Sequence, residues 1–335
     1  MKSKYIDDNI LKSHLKKVSV ISYLYDKNHI KNKDNKTNVH ISVSLTNEYI
    51  YPTIVLVQSV LANCNKEKTF LTIHLLCDSK LSDNNLLKLK KFMNYYSSNT
   101  EMVFYNMRDL FMIRYTKRFT QACMYKFLTP VLYDVDRIIL LDGDCLVLKD
   151  LSDMYNIELN DNYVLGILDY NVNGIDYLGI KSEKYINSGV MLVNLEKIRE
   201  DNKVYDILNL TYSNINNPSP DQNIVNYVFY PKIGIMPTKY IIFNFEDDSD
   251  IKIYLNILRT KISFTEVSEA LKDPTVIHCV LCWPKMWSIN HRYIEYVTSA
   301  KQRGDDSCIK YYNLWFSYAN KTDYYNEIVA FSKHK

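Results

Sequence analysis

Two hydrophobic periods alternate along this chain. After a polar, turn-rich stretch, "DKNHIKNKDNKTN" (26–38), the segment "VHISVSL" (39–45) is β-branched and apolar and reads as a buried strand. "YPTIVLVQSVLANC" (51–64) then takes up helical spacing, and "FLTIHLLC" (70–77) reads as a second strand. "SDNNLLKLKKFMNYY" (82–96) is a helix with Ser82 and Asp83 as N-cap residues, and "EMVFYNM" (101–107) is a third strand. "ACMYKFLTPVLYD" (122–134) reads as a helix interrupted by Pro130. "RIILL" (137–141), "YVLGILDY" (163–170) and "SGVMLVNL" (188–195) are further strands, and "DQNIVNYVFY" (221–230) opens a helix. Strands alternating with helices predict an α/β protein with a mostly parallel, Rossmann-like sheet covered by helices on both faces. There is no internal repeat.

The two ends differ from this pattern. "ILKSHLKKVSVISYLY" (10–25) reads as a short helix leading into the polar stretch. "SCIKYYNLWFSYANKTDYYNEIVAFSKHK" (307–335) reads as helical segments that pack back or mediate association. The expected organisation is an N-terminal extension and linker over 1–38, one α/β domain over 39–300 and a helical tail over 301–335.

Composition narrows the function. The 335 residues carry 41 basic and 38 acidic side chains, a net charge of +3, so no basic stripe points to nucleic acid. Seven scattered cysteines, an odd number, argue against a disulfide framework and for a reducing compartment. The first residues contain no apolar leader, and the longest apolar run falls short of the ~18 residues that span a bilayer. A cytoplasmic protein without a transmembrane segment is expected. The 29 tyrosines accompany abundant Asn, Lys and Ile and read as the bias of an AT-rich genome.

The chemistry concentrates at "IILLDGDCLVL" (138–148). In an extended chain residues i and i+2 face one side, so Asp142 and Asp144 would aim both carboxylates at one point beyond a buried strand. That edge of an open α/β sheet is where ligands bind. Gly143 would leave room for a ligand at the backbone, and paired carboxylates suit Mg²⁺ or Mn²⁺ shared with substrate phosphates. Asp-Gly between apolar runs is equally a hairpin signal.

The D-G-D has company in a fixed order. "LTNEY" (45–49) precedes it; "YINSGVMLVNLEKI" (185–198), "SPDQNIVNYVF" (219–229) and "VIHCVLCWPKMW" (276–287) follow. Together these motifs resemble the family 8 retaining glycosyltransferases, glycogenin and the bacterial lipopolysaccharide galactosyl- and glucosyltransferases, over residues 40–290. The resemblance implies a GT-A fold, a UDP-glucose or UDP-galactose donor and Mn²⁺, with Mg²⁺ as the alternative ion. It implies metal ligands at Asp142, Asp144 and His278, and a saccharide or protein hydroxyl as acceptor. Homodimerisation is a further expectation from relatives.

Residue by residue, the resemblance places Thr46, Asn47 and Tyr49 at the nucleotide base, with Tyr49 stacking on uracil. Lys126, assisted by Arg118, is directed at the sugar donor. Asp169 binds sugar hydroxyls, Asn187, Ser188 and Gly189 line the sugar, and Gly189 allows the backbone to approach it. Asp221 holds sugar hydroxyls, while Gln222 sits where the nucleophile of a double displacement would be. An amide is a poor nucleophile, which favours attack from the leaving-group face. The last motif departs from the family's H-x-x-G-x-x-K-P-W: it lacks the glycine, has one additional residue before Lys285 and carries Met286 for proline. Lys285 is still expected on the diphosphate, with Trp287 packed behind it. Two other readings remain open: a glycogenin-like self-glucosylating protein, and a non-catalytic nucleotide-sugar-binding protein suggested by the altered loop.

Overall fold

The structure is a computed structural model that describes residues 19–23, 35–78, 81–93, 99–107, 121–169, 184–213, 219–245, 247–258, 262–280, 285–288, 295, 298, 299, 302 and 307–334. Its strands are β1 (Ser19–Tyr23), β2 (Thr37–Leu45), β3 (Thr69–Cys77), β4 (Thr100–Asn106), β5 (Arg137–Leu141) and β6 (Cys145–Val147). They continue with β7 (Val164–Leu168), β8 (Ile186–Asn194), β9 (Ile233–Ile235), β10 (Ile241–Phe243) and β11 (Val276–His278). The main sheet has the order β1-β4-β3-β2-β5-β8-β7-β9, and β10-β11-β6 form a separate three-stranded sheet. Among the described residues, four of the seven pairings in the main sheet are parallel.

Strand alternation divides two cores. Val39, Ile41, Val43 and Leu45 of β2 face one core together with Leu71, Ile73 and Leu75 of β3 and the helix α1 (Ile50–Asn63). Leu76, Tyr105, Ile138 and Leu140 face the other. β3 is buried at every position, the mark of a strand covered on both faces.

The second face carries a polar row. His74 Nε2 lies 3.0 Å from His40 Nδ1, its Nδ1 lies 3.1 Å from the Tyr105 hydroxyl, and its ring stacks on Tyr133. Burial, with His40 adding to it, lowers the His74 pKa from 6.5 to about 3. Because the folded-state value lies below the unfolded one, the unfolded chain binds the extra proton as pH falls, and stability is lost through that window. Between pH 6.5 and 5 this residue should contribute up to about 1.4 kcal/mol of lost stability per pH unit. Urea unfolding across that range should show a shallower pH slope for His74→Gln; equal slopes would mean that His74 does not titrate in this way.

One expectation is corrected here. Residues 19–23 do not continue a helix: they pair antiparallel with β4, Ser19 opposite Asn106 and Tyr23 opposite Met102. The segment SVISY carries the β-branched pair Val20 and Ile21, and β4 offers an open edge whose backbone groups need partners. The interrupted helix at 122–134 resolves into Ala122–Tyr125, a 3₁₀ turn Lys126–Leu128 and Thr129–Leu132, with Pro130 in a first turn.

The C-terminal segment forms α-helices at Ser307–Ala319 and Tyr325–Lys333. Asn63 at the end of α1 donates to the Tyr318 hydroxyl (2.8 Å), Tyr311 donates to the Phe245 carbonyl (2.7 Å), and Lys88 pairs with Glu327. These bonds tie the segment to the domain's own helices. Among the described residues, no helix is long and apolar enough to cross a membrane.

Candidate active site

The chain leaves the main sheet at Asp142. β5 ends at Leu141 and β6 begins at Cys145, but these strands lie in different sheets, so D-G-D is a crossing between sheets and not a hairpin. A turn closes it, with Cys145 N donating to the Asp142 carbonyl (3.2 Å).

At this turn the two carboxylates meet different partners. Asp142 Oδ1 accepts from Lys126 Nζ (3.0 Å). Asp144 Oδ1 lies 3.2 Å from His278 Nε2, and its Oδ2 accepts from Lys285 Nζ (2.6 Å). Period-two reasoning holds for extended backbone, and here a turn stands between β5 and β6. His278 reaches Asp144 because β11 pairs with β6, His278 opposite Cys145. Burial opposes ionisation of Asp144, yet the charge of Lys285 and the imidazole of His278 hold its carboxyl well below the usual range. Asp142 is shifted the other way: burial raises its pKa against the pull of Lys126. Its side chain keeps 39% of its surface open to solvent.

Lys126 occupies the centre of the site at 5% exposure. Its ammonium donates to Asp142, to Asp221 Oδ2 (3.0 Å) and to the Ser188 carbonyl (3.1 Å). Burial alone would lower its pKa, but Asp142 and Asp221 raise it, so the lysine stays charged. The lysine side chain thus joins the ends of β5, β8 and the helix α2 (Pro220–Phe229).

A second layer lies beneath the first. Asp221 Oδ2 also accepts from Ser188 Oγ (3.0 Å). Asn187 Nδ2 donates to Asp169 Oδ2 (2.7 Å) and to Gln222 Oε1 (3.2 Å), while its Oδ1 accepts from Gly189 N (2.8 Å). Gln222 Oε1 also accepts from Ser188 N (3.3 Å).

Both glycines serve side chains. A Cβ on Gly189 would stand 2.2 Å from His278 Cε1, so this glycine makes room for the imidazole. A Cβ on Gly143 would stand 2.8 Å from Tyr49 Cδ1. The Tyr49 ring therefore lies against the D-G-D turn, edge-on to Trp287 at 5.5 Å, and Trp287 in turn neighbours Trp315. Burial and the Asp144 charge push the Tyr49 hydroxyl up to about 12.

The structure thus gathers Lys126, Asp142, Asp144, Asp169, Asn187, Ser188, Gly189, Asp221, Gln222, His278 and Lys285, with Tyr49 beside Gly143. Thr46 follows β2, and its carbonyl accepts from Tyr49 N (3.1 Å). The Asn47 carboxamide oxygen accepts from Ser82 N (2.9 Å) and Asn85 Nδ2 (3.0 Å) at the start of the helix Asp83–Met93. Arg118 lies outside the described residues, as do Leu281 and Cys282 of the altered loop.

Sequence reasoning passed over three neighbours. Cys145 joins Asp144 and His278 in a cluster whose ligand atoms lie within 4.8 Å of one another. Tyr185 contacts Gln222 (3.2 Å), and its position two residues before Asn187, on the same face, was a readable signal. Asn226 clasps both backbone groups of Ile186 (2.8 Å each), closing β8 where its ladder ends.

Comparison with known proteins follows the same residues. The model of glycosyl transferase family 8 matches residues 40–288. No curated protein matches the sequence. Among solved structures, the chain is similar to the WbbM bifunctional glycosyltransferase, with TM-score 0.68 and 18% identity over 90% of this chain and 52% of that one. It thus spans about half of WbbM's length. It is also similar to the galactosyltransferase LgtC, solved with donor and acceptor sugar analogues (TM-score 0.61, 18% identity, 75% of this chain and 90% of that one). Mouse xyloside xylosyltransferase 1 is more distant (TM-score 0.51, 12% identity, 73% and 98% covered). The likeness at these identities is one of fold, the GT-A fold.

Proposed function

Because the chain belongs to glycosyl transferase family 8, we propose that it is a retaining hexosyltransferase that moves glucose or galactose from a UDP-sugar to a saccharide or protein hydroxyl. Mn²⁺ or Mg²⁺ would be held by Asp142, Asp144 and His278. The observation that carries this reading is the approach of His278 Nε2 to Asp144 Oδ1 at 3.2 Å, across 134 positions of chain. The residues fit such an ion. Carboxylate oxygens and an imidazole nitrogen suit Mn²⁺. The buried His278 Nδ1 has no hydrogen-bond partner among the described atoms, a cost that a role for the ring offsets. Without an ion, burial raises the Cys145 pKa far above its ordinary value. A bound divalent ion would neutralise the charge that develops on the leaving diphosphate.

The remaining chemistry belongs to the protein. Lys285, partly exposed and already beside Asp144, is positioned to meet diphosphate oxygens. Asp169, Ser188 and Asp221 present polar groups suited to sugar hydroxyls, and Lys126 fixes Asp221. Both acceptor positions of Gln222 Oε1 are filled by Asn187 and Ser188, which weakens it further as a nucleophile. Its carbonyl dipole instead stabilises positive charge at C1. The acceptor hydroxyl then attacks from the face the diphosphate leaves, forming the new glycosidic bond as the C1–O bond to UDP breaks. Its proton passes to the departing diphosphate.

Incubation with Mn²⁺ and a panel of UDP-sugars should release UDP, increasing with an added saccharide and falling with chelator. Absence of UDP from every sugar would favour a binding protein. A gain of protein mass in hexose steps would point to self-glucosylation.

A further inference from the structure

The hydrogen bonds beneath the sugar site run in one direction only. Gly189 N–H can only donate, so the group it meets at 2.8 Å is the Asn187 carbonyl oxygen. Asn187 Nδ2 must then face Asp169, whose carboxylate accepts, and it reaches Gln222 as a donor. Ser188 N–H, another obligate donor, meets the same Gln222 atom, which is therefore oxygen. The Gln222 amide nitrogen is left to face the Tyr185 hydroxyl at 3.2 Å. That hydroxyl accepts from Gln222 and spends its own proton on Asn223 Oδ1 at 2.7 Å. Tyr185 and Asn223 are fully buried, and Gln222 and Asn187 are nearly so, so water offers little competition.

We propose that Tyr185 is a positioning residue: its hydroxyl, opposite the two donors that hold Oε1, locks the Gln222 amide in one orientation, and so steadies the carbonyl dipole on which the reaction at C1 depends. The inference rests on the transferase reading of the site but adds a residue to it. Tyr185 is fully buried and meets Gln222 at the amide nitrogen, so it acts through that residue. Without the hydroxyl, the amide nitrogen loses a buried partner, and only the two long bonds to Oε1, at 3.2 and 3.3 Å, still hold the carbonyl.

Two measurements on Tyr185→Phe test this. With selective ¹⁵N-glutamine labelling, the Gln222 side-chain amide is identified by its absence in Gln222→Ala. Its protons should shift and exchange faster with solvent in Tyr185→Phe; an unchanged signal overturns the proposal. In UDP-release assays, kcat should fall about tenfold with the UDP-sugar KM within twofold, and Tyr185→Phe should cost nothing further in a Gln222→Ala background. A full additional loss in that background, or an unchanged kcat, also overturns it. Should Tyr185→Phe fail to fold, Asn223→Ala frees the Tyr185 proton to compete for Gln222 and should shift the same amide signal and lower kcat. If wild type turns over no UDP-sugar while the amide signal responds, the transferase reading fails and the positioning stands.

Discussion

Asp144→Asn is expected to lower UDP release by about a thousand-fold and leave the circular dichroism spectrum unchanged. Asparagine has the shape of aspartate and can still accept one hydrogen bond from Lys285. It lacks the negative charge that His278 and Lys285 share in the wild type. Lys285 is partly open to solvent, so it can turn outward when that charge disappears, and the fold should survive. What is lost is the anion proposed to hold a divalent cation next to His278. Calorimetric titration with Mn²⁺ should show binding to the wild type and none to the variant. More than a tenth of wild-type turnover in Asp144→Asn would remove the reason for placing a metal here.

Gly189→Ala should be nearly as damaging, for a steric reason. The added methyl would stand 2.2 Å from His278 Cε1, 2.7 Å from Nε2 and 2.9 Å from Nδ1, all inside van der Waals contact. The glycine cannot retreat: its N–H donates to Asn187 Oδ1 and its carbonyl accepts from Asp142 N at 2.7 Å. The ring must move, and with it the nitrogen that meets Asp144. Overpacking of this kind costs about 1–3 kcal/mol, measurable as a lower urea midpoint. Mn²⁺ binding should weaken together with turnover. Wild-type stability and metal affinity in Gly189→Ala would mean that the imidazole does not lie against this backbone. The missing Cβ at Gly189 thus makes room for the imidazole.

Much of the sheet was legible beforehand. β2, β3, β4, β5 and β8 fall within a few residues of their sequence-based bounds, because each carries a run of β-branched and apolar side chains that only burial satisfies. β6, β9, β10 and β11 are three residues each, too short to show a period. β1 was hidden by lysines on its N-terminal side that imitate a helix, and its pairing depends on the open edge of β4.

The site divides along the same line. Local pattern alone established that a D-G-D ends a buried strand, that Asp221 and Gln222 open a helix and that Ser188 begins a strand; each follows from neighbours close in the chain. Folding determined the partners. Lys126 between Asp142 and Asp221, His278 beside Asp144 and Tyr185 behind Gln222 join residues 16 to 134 positions apart. Such bonds are directional and gain their strength from exclusion of water, and water is excluded only when distant elements close over one another.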